Sequence, residues 1–343
     1  MKDRDFLRTR ENFLFCVVGY AHPTDRVIAY LKYIPSNSGR WGRGSTHYAR
    51  TMPNYTVPSL LQNIAALQKS HPHYVFTSSI WGIEMSAVPN HNIAERYFPE
   101  VKLFSLFRMP HLDSLQRTTI ELVSHLVSIA NLSAGDFGIT GSILTDIHNP
   151  NFSDVDLIVY GQKNSWKLKT ALMRSEELRV NQGASEQYKR RTVERLMRTY
   201  GFTSREAAEI YDRRWNYGRF NNRRFSVHPV RKDLEITEKY GDRSFTPHIL
   251  IEGKAELIDV AESLFLPSKY KIHRFQTFRG KNLDWIEDIV SYDGLFTGLF
   301  DCGECVSIRG KLEEVVHHDG ERSFRILVGS PEAQGRDFIK PLT

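Results

Sequence analysis

The sequence contains little cysteine and no long apolar run. Its 343 residues include three cysteines, Cys16, Cys302 and Cys305, and this small, odd number argues against a disulfide framework. No window approaches the ~18 consecutive apolar residues of a membrane-spanning helix. The N-terminal sequence MKDRDFLRTREN also has no apolar signal core. We therefore expect a cytoplasmic protein without a membrane partner.

Internal repeats and low-complexity tracts are also absent. Hydrophobic residues make up 41% and charged residues 25% of the chain, which is typical of a globular protein that buries real cores. At roughly 100–200 residues per domain, the length predicts two or three domains. The 46 lysines and arginines exceed the 40 acidic residues and give a net charge of +6, which favours polyanionic partners.

The patterning divides the chain into three regions and predicts an α+β fold. Residues 1–110 are predicted to be an N-terminal α/β region, and residues 111–235 a helix-and-strand region with a basic helical arm. Residues 236–343 contain short strand-like segments separated by glycine or charged turns. Segments of this kind predict a small β-barrel or sandwich.

In the first region, turn residues separate apolar segments. Residues 13–20 and 26–34 are short apolar runs with turn chemistry between them, which predicts a hairpin. Residues 37–50 are rich in glycine, serine and arginine, and we interpret them as a loop that contacts nucleic acid or simply lies at the surface. A helix is predicted from Pro58, because proline suits the first helical turn, and a strand at 74–80.

In the second region, the period of the apolar residues changes to that of a helix after Leu112, with Asp113 as the N-cap. The sequence DFGITGS (136–142) predicts a strand and a turn, and DVDLIVYG (154–161) predicts an apolar strand. Further helices are predicted at 162–178, 185–200 and 203–214, the last with a capping signal at Thr203, and a further strand at 223–231.

Two aspartates stand at the start of the apolar strand. Asp154 and Asp156 are two residues apart, so in a strand both carboxylates point to the same face. Like charges at this distance raise the pKa of one carboxyl group unless a cation lies between them. Mg²⁺ (or Mn²⁺) suits such a pair, because it commonly takes one or two carboxylates together with substrate phosphates.

Gly141 and Ser142 lie at the turn before this strand. A glycine lets a phosphate group approach the backbone closely, and free N–H groups at the start of a helix favour an anion. The serine hydroxyl can donate to a phosphate oxygen. Together with Asp154 and Asp156, these residues predict a site for a nucleoside triphosphate (NTP) and metal-assisted displacement at phosphorus.

The ordered set of Gly141-Ser142 followed by Asp154 and Asp156 in an apolar strand resembles the DNA polymerase β-like nucleotidyltransferase superfamily. The resemblance covers about residues 112–232. The wider chain, including FCVVGYAHPTDRVIAYLKYIP, is similar to archaeal proteins described only as predicted nucleotidyltransferases. The resemblance implies a short mixed sheet with helices on one face. It also implies that Gly141 and Ser142 hold the triphosphate, while Asp154 and Asp156 hold the metal ions.

The chain departs from this family at the third carboxylate, which active members usually carry on a neighbouring strand. If Pro229 aligns with the proline that follows the acid in related enzymes, Ser226 takes the place of that acid. His228 is then the only titratable side chain in the segment 225–229, and it is either a base near neutral pH or an ordinary half-buried strand residue. Glu252 is a more distant substitute.

A basic arm follows the aspartates. Residues 189–232 contain thirteen lysines and arginines against four acids, with aromatic residues between them. Arginine binds phosphate oxygens with a planar fork, and aromatic rings stack on unpaired bases. The arm therefore predicts a nucleic-acid surface, with RNA favoured over DNA, and the alternative is a solvated helix face with local ion pairs. The arginines expected to bind are Arg190, Arg191, Arg213, Arg214, Arg219, Arg223 and Arg224.

The C-terminal region carries two further hypotheses. The predicted barrel either binds an oligonucleotide or only supports the core. The pair Cys302 and Cys305, with His317 and His318 further along, either forms a zinc site or consists of ordinary turn cysteines. The residues suited to an oligonucleotide-binding strand face are Tyr270, His273, Arg274, Phe275, Phe278 and Arg279.

Three functions are compatible with this sequence. The first is an Mg²⁺-dependent nucleotidyltransferase that moves a nucleoside monophosphate from an NTP to a hydroxyl group of a nucleic acid, with Asp154, Asp156 and His228 as candidate catalytic residues. The second is a catalytically degenerate scaffold of this type that binds RNA or DNA. The third is modification of a protein or a small molecule.

Overall fold

The computed structural model describes residues 1–43, 45–52, 55–178 and 186–342. Within these ranges, the chain forms seven α-helices and eighteen β-strands arranged in three sheets. The predicted α+β fold class is confirmed. None of the helices in this part of the chain is long and apolar enough to cross a membrane.

The N-terminal region is built on an eight-stranded antiparallel sheet with one long helix, α1 (Val57–Ser70). The hairpin predicted at 13–20 and 26–34 is confirmed, because its two strands pair antiparallel. The helix predicted from Pro58 is also confirmed, with Thr56 as its N-cap. The strands are β1 (Phe6–Thr9), β2 (Leu14–Val17), β3 (Arg26–Pro35), β4 (Trp41–Arg43), β5 (Thr46–Arg50), β6 (Val75–Ser78), β7 (Ile83–Pro89) and β8 (Ile93–Tyr97).

The loop predicted at 37–50 is wrong. Strands β4 and β5 form a hairpin there, and β5 continues the sheet by pairing with β3. Tyr48 is buried and Trp41 packs against Tyr33, with 5.6 Å between ring centroids. The aromatic residues therefore stabilise strands that the glycine- and serine-rich composition concealed. Gly44 lies outside the described residues.

The middle of the chain forms a four-stranded mixed sheet in the order β11-β12-β10-β9. Strands β10 and β12 are parallel, while β9 and β11 run antiparallel to their neighbours. The elements are α2 (Pro99–Arg108), α3 (Ser114–Ala130), β9 (Phe137–Thr140), α4 (Gly141–Leu144), β10 (Val155–Tyr160), α5 (Gln162–Arg174), β11 (Tyr217–Phe220) and β12 (Arg223–Val230).

One face of this mixed sheet is apolar and packs against helices α3 and α5. Val155, Leu157 and Val159 alternate along β10 and share a core with residues of both helices. Asp113 caps α3 through a reciprocal capping box with Gln116, as the sequence predicts. The opposite face of the sheet carries the polar side chains that form the candidate site.

The basic arm contains two helices, α6 (Glu186–Tyr200) and α7 (Ser204–Arg213). Thr203 and Glu206 form a capping box at the start of α7, as predicted. Ser185, the predicted start of α6, lies outside the described residues. Both helices contribute buried side chains to the core of the C-terminal region, so this core crosses the boundary predicted at 235.

The C-terminal strands form a closed five-stranded barrel in the order β13-β14-β15-β17-β16, with β16 pairing back to β13. The predicted small barrel is confirmed. Tyr270 and Phe275 are fully buried in its core, so they do not belong to a ligand-binding strand face. The strands are β13 (Arg243–Asp259), β14 (Ser268–Thr277), β15 (Ile286–Ser291), β16 (Cys305–His317), β17 (Arg322–Val328) and β18 (Phe338–Pro341), which pairs with β16 outside the closed ring.

Candidate active site

The polar face of the mixed sheet is organised by the parallel pair β10 and β12. Asp156 lies opposite Ser226, and Ile158 lies opposite His228. Because residues two apart in a strand share a face, Asp156, Ser226 and His228 all lie on the face opposite the apolar core. Ser226 therefore occupies the position on the neighbouring strand at which a third acid would stand.

A hydrogen-bonded chain joins these three side chains. Ser226 Oγ donates to Asp156 Oδ1 over 2.5 Å, and His228 Nε2 lies 2.9 Å from the same Oγ. Because the single hydroxyl hydrogen points to Asp156, the Nε2–H of His228 is the donor to Ser226. Burial lowers the pKa of His228 well below its usual value, and the charges of Arg4 and Lys32 lower it further. The ring is therefore neutral at pH 7.

Asp154, at the entry to β10, is paired with Arg224. The guanidinium group contacts both carboxylate oxygens, with Nε–Oδ1 at 3.2 Å and Nη2–Oδ2 at 3.0 Å. Burial raises the pKa of Asp154, the charge of Arg224 lowers it and the charge of Asp156 raises it further. The side chain is 40% exposed, so this pair stands at the mouth of the site.

Gly141 lies against the carboxylate of Asp156. Its φ is +69°, and a Cβ atom added there would lie 2.5 Å from Asp156 Oδ2. Only glycine satisfies both the left-handed backbone and this close approach. Ser142 is buried next to it, and the helix that follows, α4, has four residues. The structure thus brings the glycine-serine pair and the second aspartate together.

The N-terminal sheet covers this polar face. Thr140 Oγ1, opposite Asp156 on β9, donates to the carbonyl oxygen of Arg4 over 2.7 Å. The backbone N–H of Gly42 donates to the carbonyl oxygen of Ile147 over 2.8 Å. Apolar residues of β1, β2 and β3 form a common core with Leu144 and Ile147. The site is therefore enclosed between two sheets.

Three cations of the N-terminal region face the site. The charges of Arg4 and Lys32 act on His228, and those of Lys32 and Arg50 interact with Asp156. We call Arg4, Lys32 and Arg50 the cationic cluster. Sequence reasoning missed these residues, and the one available signal was a lysine inside the apolar run of β3, RVIAYLKYIP.

The β4–β5 hairpin borders the mouth of the site. The guanidinium of Arg50 lies 4.8 Å from the ring centroid of Trp41, and that of Arg40 lies 4.7 Å from Phe152. The rings of Trp41 and Phe152 themselves are 5.7 Å apart. Because Phe152 shortly precedes Asp154, this hairpin packs beside the aspartates, and its contact with nucleic acid stays a prediction.

The arginines of the basic arm have different environments. Arg191 is exposed on α6, whereas the other arginines predicted to bind nucleic acid contact other parts of the chain. Their contacts include ion pairs of Arg190 with Glu194, of Arg213 with Glu209 and Glu304 and of Arg224 with Asp154, hydrogen bonds of Arg219 to Asn222 O and of Arg223 to Pro150 O and Asn151 O, and a cation–π contact of Arg214 with Tyr217.

The other candidate residues lie away from this site. Glu252 is on β13 of the barrel, opposite Arg309. Cys305 begins β16 and His317 ends it, at opposite ends of one thirteen-residue strand, so the cysteines and the histidines do not converge on one metal ion. Among the residues that the structure describes, no three histidine, cysteine, aspartate or glutamate side chains are grouped for a metal.

Comparison with known proteins gives a relative without an assigned activity. The chain is 27% identical over 341 residues to the uncharacterized protein MJ1086 of Methanocaldococcus jannaschii, and the alignment covers 98% of each chain. No family model matches the chain, and no solved structure matches it.

Proposed function

We propose that the protein is a divalent-cation-dependent nucleotidyltransferase, which moves a nucleoside monophosphate from an NTP to a hydroxyl group of a nucleic acid. The observation that supports this most is the arrangement around Asp156. Two aspartates alternate at the entry of β10, and a left-handed glycine leaves room beside the second carboxylate. We interpret the four-stranded mixed sheet that carries this centre as a nucleotidyltransferase-type sheet.

The two carboxylates fit Mg²⁺ or Mn²⁺. Such a cation takes one or two protein carboxylates and completes its oxygen ligands with phosphates and water. Burial and the charge of Asp156 both raise the pKa of Asp154, and a bound cation would relieve this repulsion. When bound, the cation would neutralise the triphosphate and polarise its α-phosphoryl group.

The protein's own residues position this centre. Ser226 fixes the orientation of Asp156, and His228 fixes that of Ser226. Burial lowers the pKa of His228 and makes its ring a weak base, and its Nε2–H is already engaged with Ser226, so we assign it a positioning role rather than that of a general base. Arg224 positions Asp154 by contacting both of its carboxylate oxygens.

The proposed reaction is a displacement at the α-phosphorus. The acceptor hydroxyl oxygen forms a bond to this phosphorus, the bond to the bridging oxygen of the β-phosphate breaks and pyrophosphate leaves. The hydroxyl proton passes to solvent, because Ser226 stands where a third carboxylate would accept it. We therefore expect slow transfer, since a positioned base contributes about 10²–10⁴-fold.

A stripe of exposed arginines on α6 supports a nucleic-acid acceptor. Arg191, Arg195 and Arg198 are spaced by four and three residues, so they lie on one face of the helix. Tyr188, near the start of the same helix, lies 6.0 Å from the guanidinium of Arg224. The helix that carries the stripe thus begins near Arg224, the ion-pair partner of Asp154. We favour single-stranded RNA, whose unstacked bases aromatic side chains can bind.

A second candidate is a nucleic-acid-binding scaffold without transfer activity. Two observations favour it: a serine faces Asp156 at the register position of the missing acid, and Arg224 already neutralises Asp154. In this case the arginine stripe would be the functional surface, and the aspartates would have a structural role.

An extension assay separates the two candidates. Purified protein would be mixed with Mg²⁺ or Mn²⁺, each labelled NTP and RNA or DNA oligomers. The test variant is Asp154→Ala/Asp156→Ala, and the control is Asp284→Ala, which removes an exposed barrel carboxylate. Label transfer that the double variant loses and the control keeps would support the transferase. No transfer, with oligomer binding equal in all three proteins, would favour the scaffold.

A further inference from the structure

Lys32 is a buried lysine with no counter-ion among the residues that the structure describes. Lys32 is 7% exposed, and its Nζ has no hydrogen bond or ion pair with any residue that the structure describes. Its neighbours are aromatic rings, with centroids 5.2 Å away in Phe6, 5.3 Å in Tyr55 and 5.9 Å in Tyr33. A buried ammonium group in this state is costly unless something else neutralises it.

Lys311 shows how this chain otherwise accommodates a buried lysine. Its side chain is 3% exposed, and Nζ donates to both carboxylate oxygens of Glu332 at 2.9 and 3.0 Å. Glu313, also buried, lies 3.9 Å away. No carboxylate in the described part of the chain contacts Lys32 in this way, although the two lysines are similarly buried. The difference points to a ligand that supplies the negative charge at Lys32.

Lys32 keeps its positive charge in this environment. Burial lowers its pKa, but the surrounding Tyr55, Tyr33, Cys16 and Asp156 raise it above its usual value on balance. Arg4 lies in the same enclosure, with a side chain that is 18% exposed and a buried Nε without a hydrogen bond. Its ion pair with Asp3, at 3.4 Å, satisfies it only in part.

The charges of these cations act on the polar face of the mixed sheet. The charges of Arg4 and Lys32 reach His228 on β12, while Lys32 and the exposed Arg50 interact with Asp156 on β10. Positive charge from the N-terminal sheet thus faces the carboxylates across the enclosed site. A molecule that pairs with these cations must carry several negative charges and be small enough to enter between the sheets.

We propose that the cationic cluster is the binding pocket for a polyphosphate group, with Lys32 at its centre. This inference rests on the proposed function, because the polyphosphate would be the β- and γ-phosphates of the NTP. A long nucleic acid does not suit the pocket, since Lys32 is enclosed while the arginine stripe of α6 is exposed. Phosphate oxygens would give the ammonium group charge-assisted hydrogen bonds.

The test is binding of inorganic tripolyphosphate, measured by isothermal titration calorimetry in buffer with EDTA. Lys32→Met keeps the volume and the apolar contacts of the side chain but removes its charge, and Lys69→Met removes an exposed lysine of α1 as a control. We expect tripolyphosphate to bind about tenfold more weakly to Lys32→Met, the loss of one hydrogen bond between charged groups, and unchanged to Lys69→Met. Equal binding to a folded Lys32→Met would overturn the proposal.

Thermal unfolding without ligand distinguishes this role from a structural one. If Lys32 serves a ligand, Lys32→Met unfolds at the same or a higher temperature than the wild type, because it removes an unneutralised buried charge. A lower melting temperature together with unchanged tripolyphosphate binding would assign Lys32 to structure alone. If Lys32→Met does not fold, Arg50→Gln, an exposed position, provides the binding test, and unchanged affinity there would count against the pocket.

The outcome is separable from that of the extension assay. Tripolyphosphate binding that depends on Lys32, in a protein without transfer activity, would keep the pocket and reject the transferase. Transfer activity with the same KM for the NTP in wild type and Lys32→Met, and the same tripolyphosphate affinity, would keep the transferase and reject the pocket.

Discussion

Ser226 donates its hydroxyl hydrogen to Asp156 Oδ1 over 2.5 Å, across the parallel strands β12 and β10. A neutral donor at this position stabilises the ionised carboxylate. A carboxylate in the same place would repel it and would require a cation between them. The serine therefore lets the polar face of the sheet fold without metal.

Ser226→Asp should make the stability of the protein depend on metal. Without a divalent cation, we expect unfolding to become easier by about 1–3 kcal/mol, because the new carboxylate leaves Asp156 without its donor and adds a like charge. Mg²⁺ should restore the lost stability. If the protein is a transferase, its rate should rise about tenfold or more, since the new acid can accept the hydroxyl proton. Urea unfolding with and without Mg²⁺ and the extension assay measure both effects.

Ser226→Asn is the matched control, since it is similar in size to aspartate but uncharged. It should lose stability, and Mg²⁺ should restore less of that stability than it does in Ser226→Asp. If Mg²⁺ failed to stabilise Ser226→Asp more than Ser226→Asn, the pair of positions 156 and 226 would not form a cation site.

Gly141→Ala should unfold more easily and lose metal and nucleotide binding. The new Cβ would lie 2.5 Å from Asp156 Oδ2, and φ of +69° is strained for alanine. Gly201→Ala is the control, because Gly201 has nearly the same φ, +70°, with no atom within 4 Å of the added Cβ. Left-handed backbone costs about 1–2 kcal/mol in both variants. The clash should add about 1–3 kcal/mol at Gly141 only, which chemical denaturation can resolve. Equal losses in both variants would show that Asp156 moves away freely.

Local patterns predicted much of the fold. Asp113 and Thr203 were identified as helix caps because capping depends on residues three positions apart. Asp154 and Asp156 were placed on one face because strand alternation has a period of two. The same logic failed for Lys32, since its role depends on β3 packing against a sheet more than a hundred residues away in sequence. No local pattern encodes that contact.

Strand β14 shows why alternation alone does not predict which side chains of the barrel point inward. Tyr270 and Ile272 are buried at a period of two, but the next buried residue is Phe275. Arg274 has a φ of +56°, and the register with β13 shifts there, so one extra residue reverses which side chains point inward. A bulge of this kind depends on the partner strand, and the sequence of β14 alone does not reveal it.

His228 should make stability fall as the solution becomes acidic. Its pKa is lowered in the folded protein, mainly by burial, so below about pH 6.5 the unfolded chain gains a proton that the native state does not accept. The stability that neutral His228 contributes is thus present above pH 6.5 and is lost as the pH falls. Between pH 7.5 and pH 5 we expect a loss of about 2 kcal/mol from this group.

The measurement is urea unfolding across this range for wild type, His228→Gln and His111→Gln, an exposed control. His228→Gln should show a smaller loss, whereas His111→Gln should follow the wild type. Other groups contribute too, because burial and the charge of the N-terminus lower the pKa of His22 to about 4, and burial raises that of Asp5 to about 7. The difference between variant and wild type isolates His228. Parallel curves for all three proteins would contradict the buried, neutral state.

The arginine stripe of α6 should determine how nucleic-acid binding responds to salt. Replacing Arg191, Arg195 and Arg198 with glutamine should weaken binding of a fluorescent RNA oligomer. It should also reduce the slope of log K against log salt by about 2, because each phosphate contact to a single strand contributes about 0.7. Fluorescence anisotropy at about 50 to 300 mM salt measures both quantities, because phosphate contacts weaken over roughly this range.

Arg213→Gln provides the contrast, since this arginine binds Glu304 through two hydrogen bonds of 2.8 and 2.9 Å and also contacts Glu209. It should lower stability by about 1 kcal/mol, because the pair is partly exposed, and leave the salt slope unchanged. If Arg213→Gln reduced the slope as much as the triple variant, the ion-paired side of the arm would face the RNA. The path of the acceptor would then run along α7 and the barrel rather than along α6.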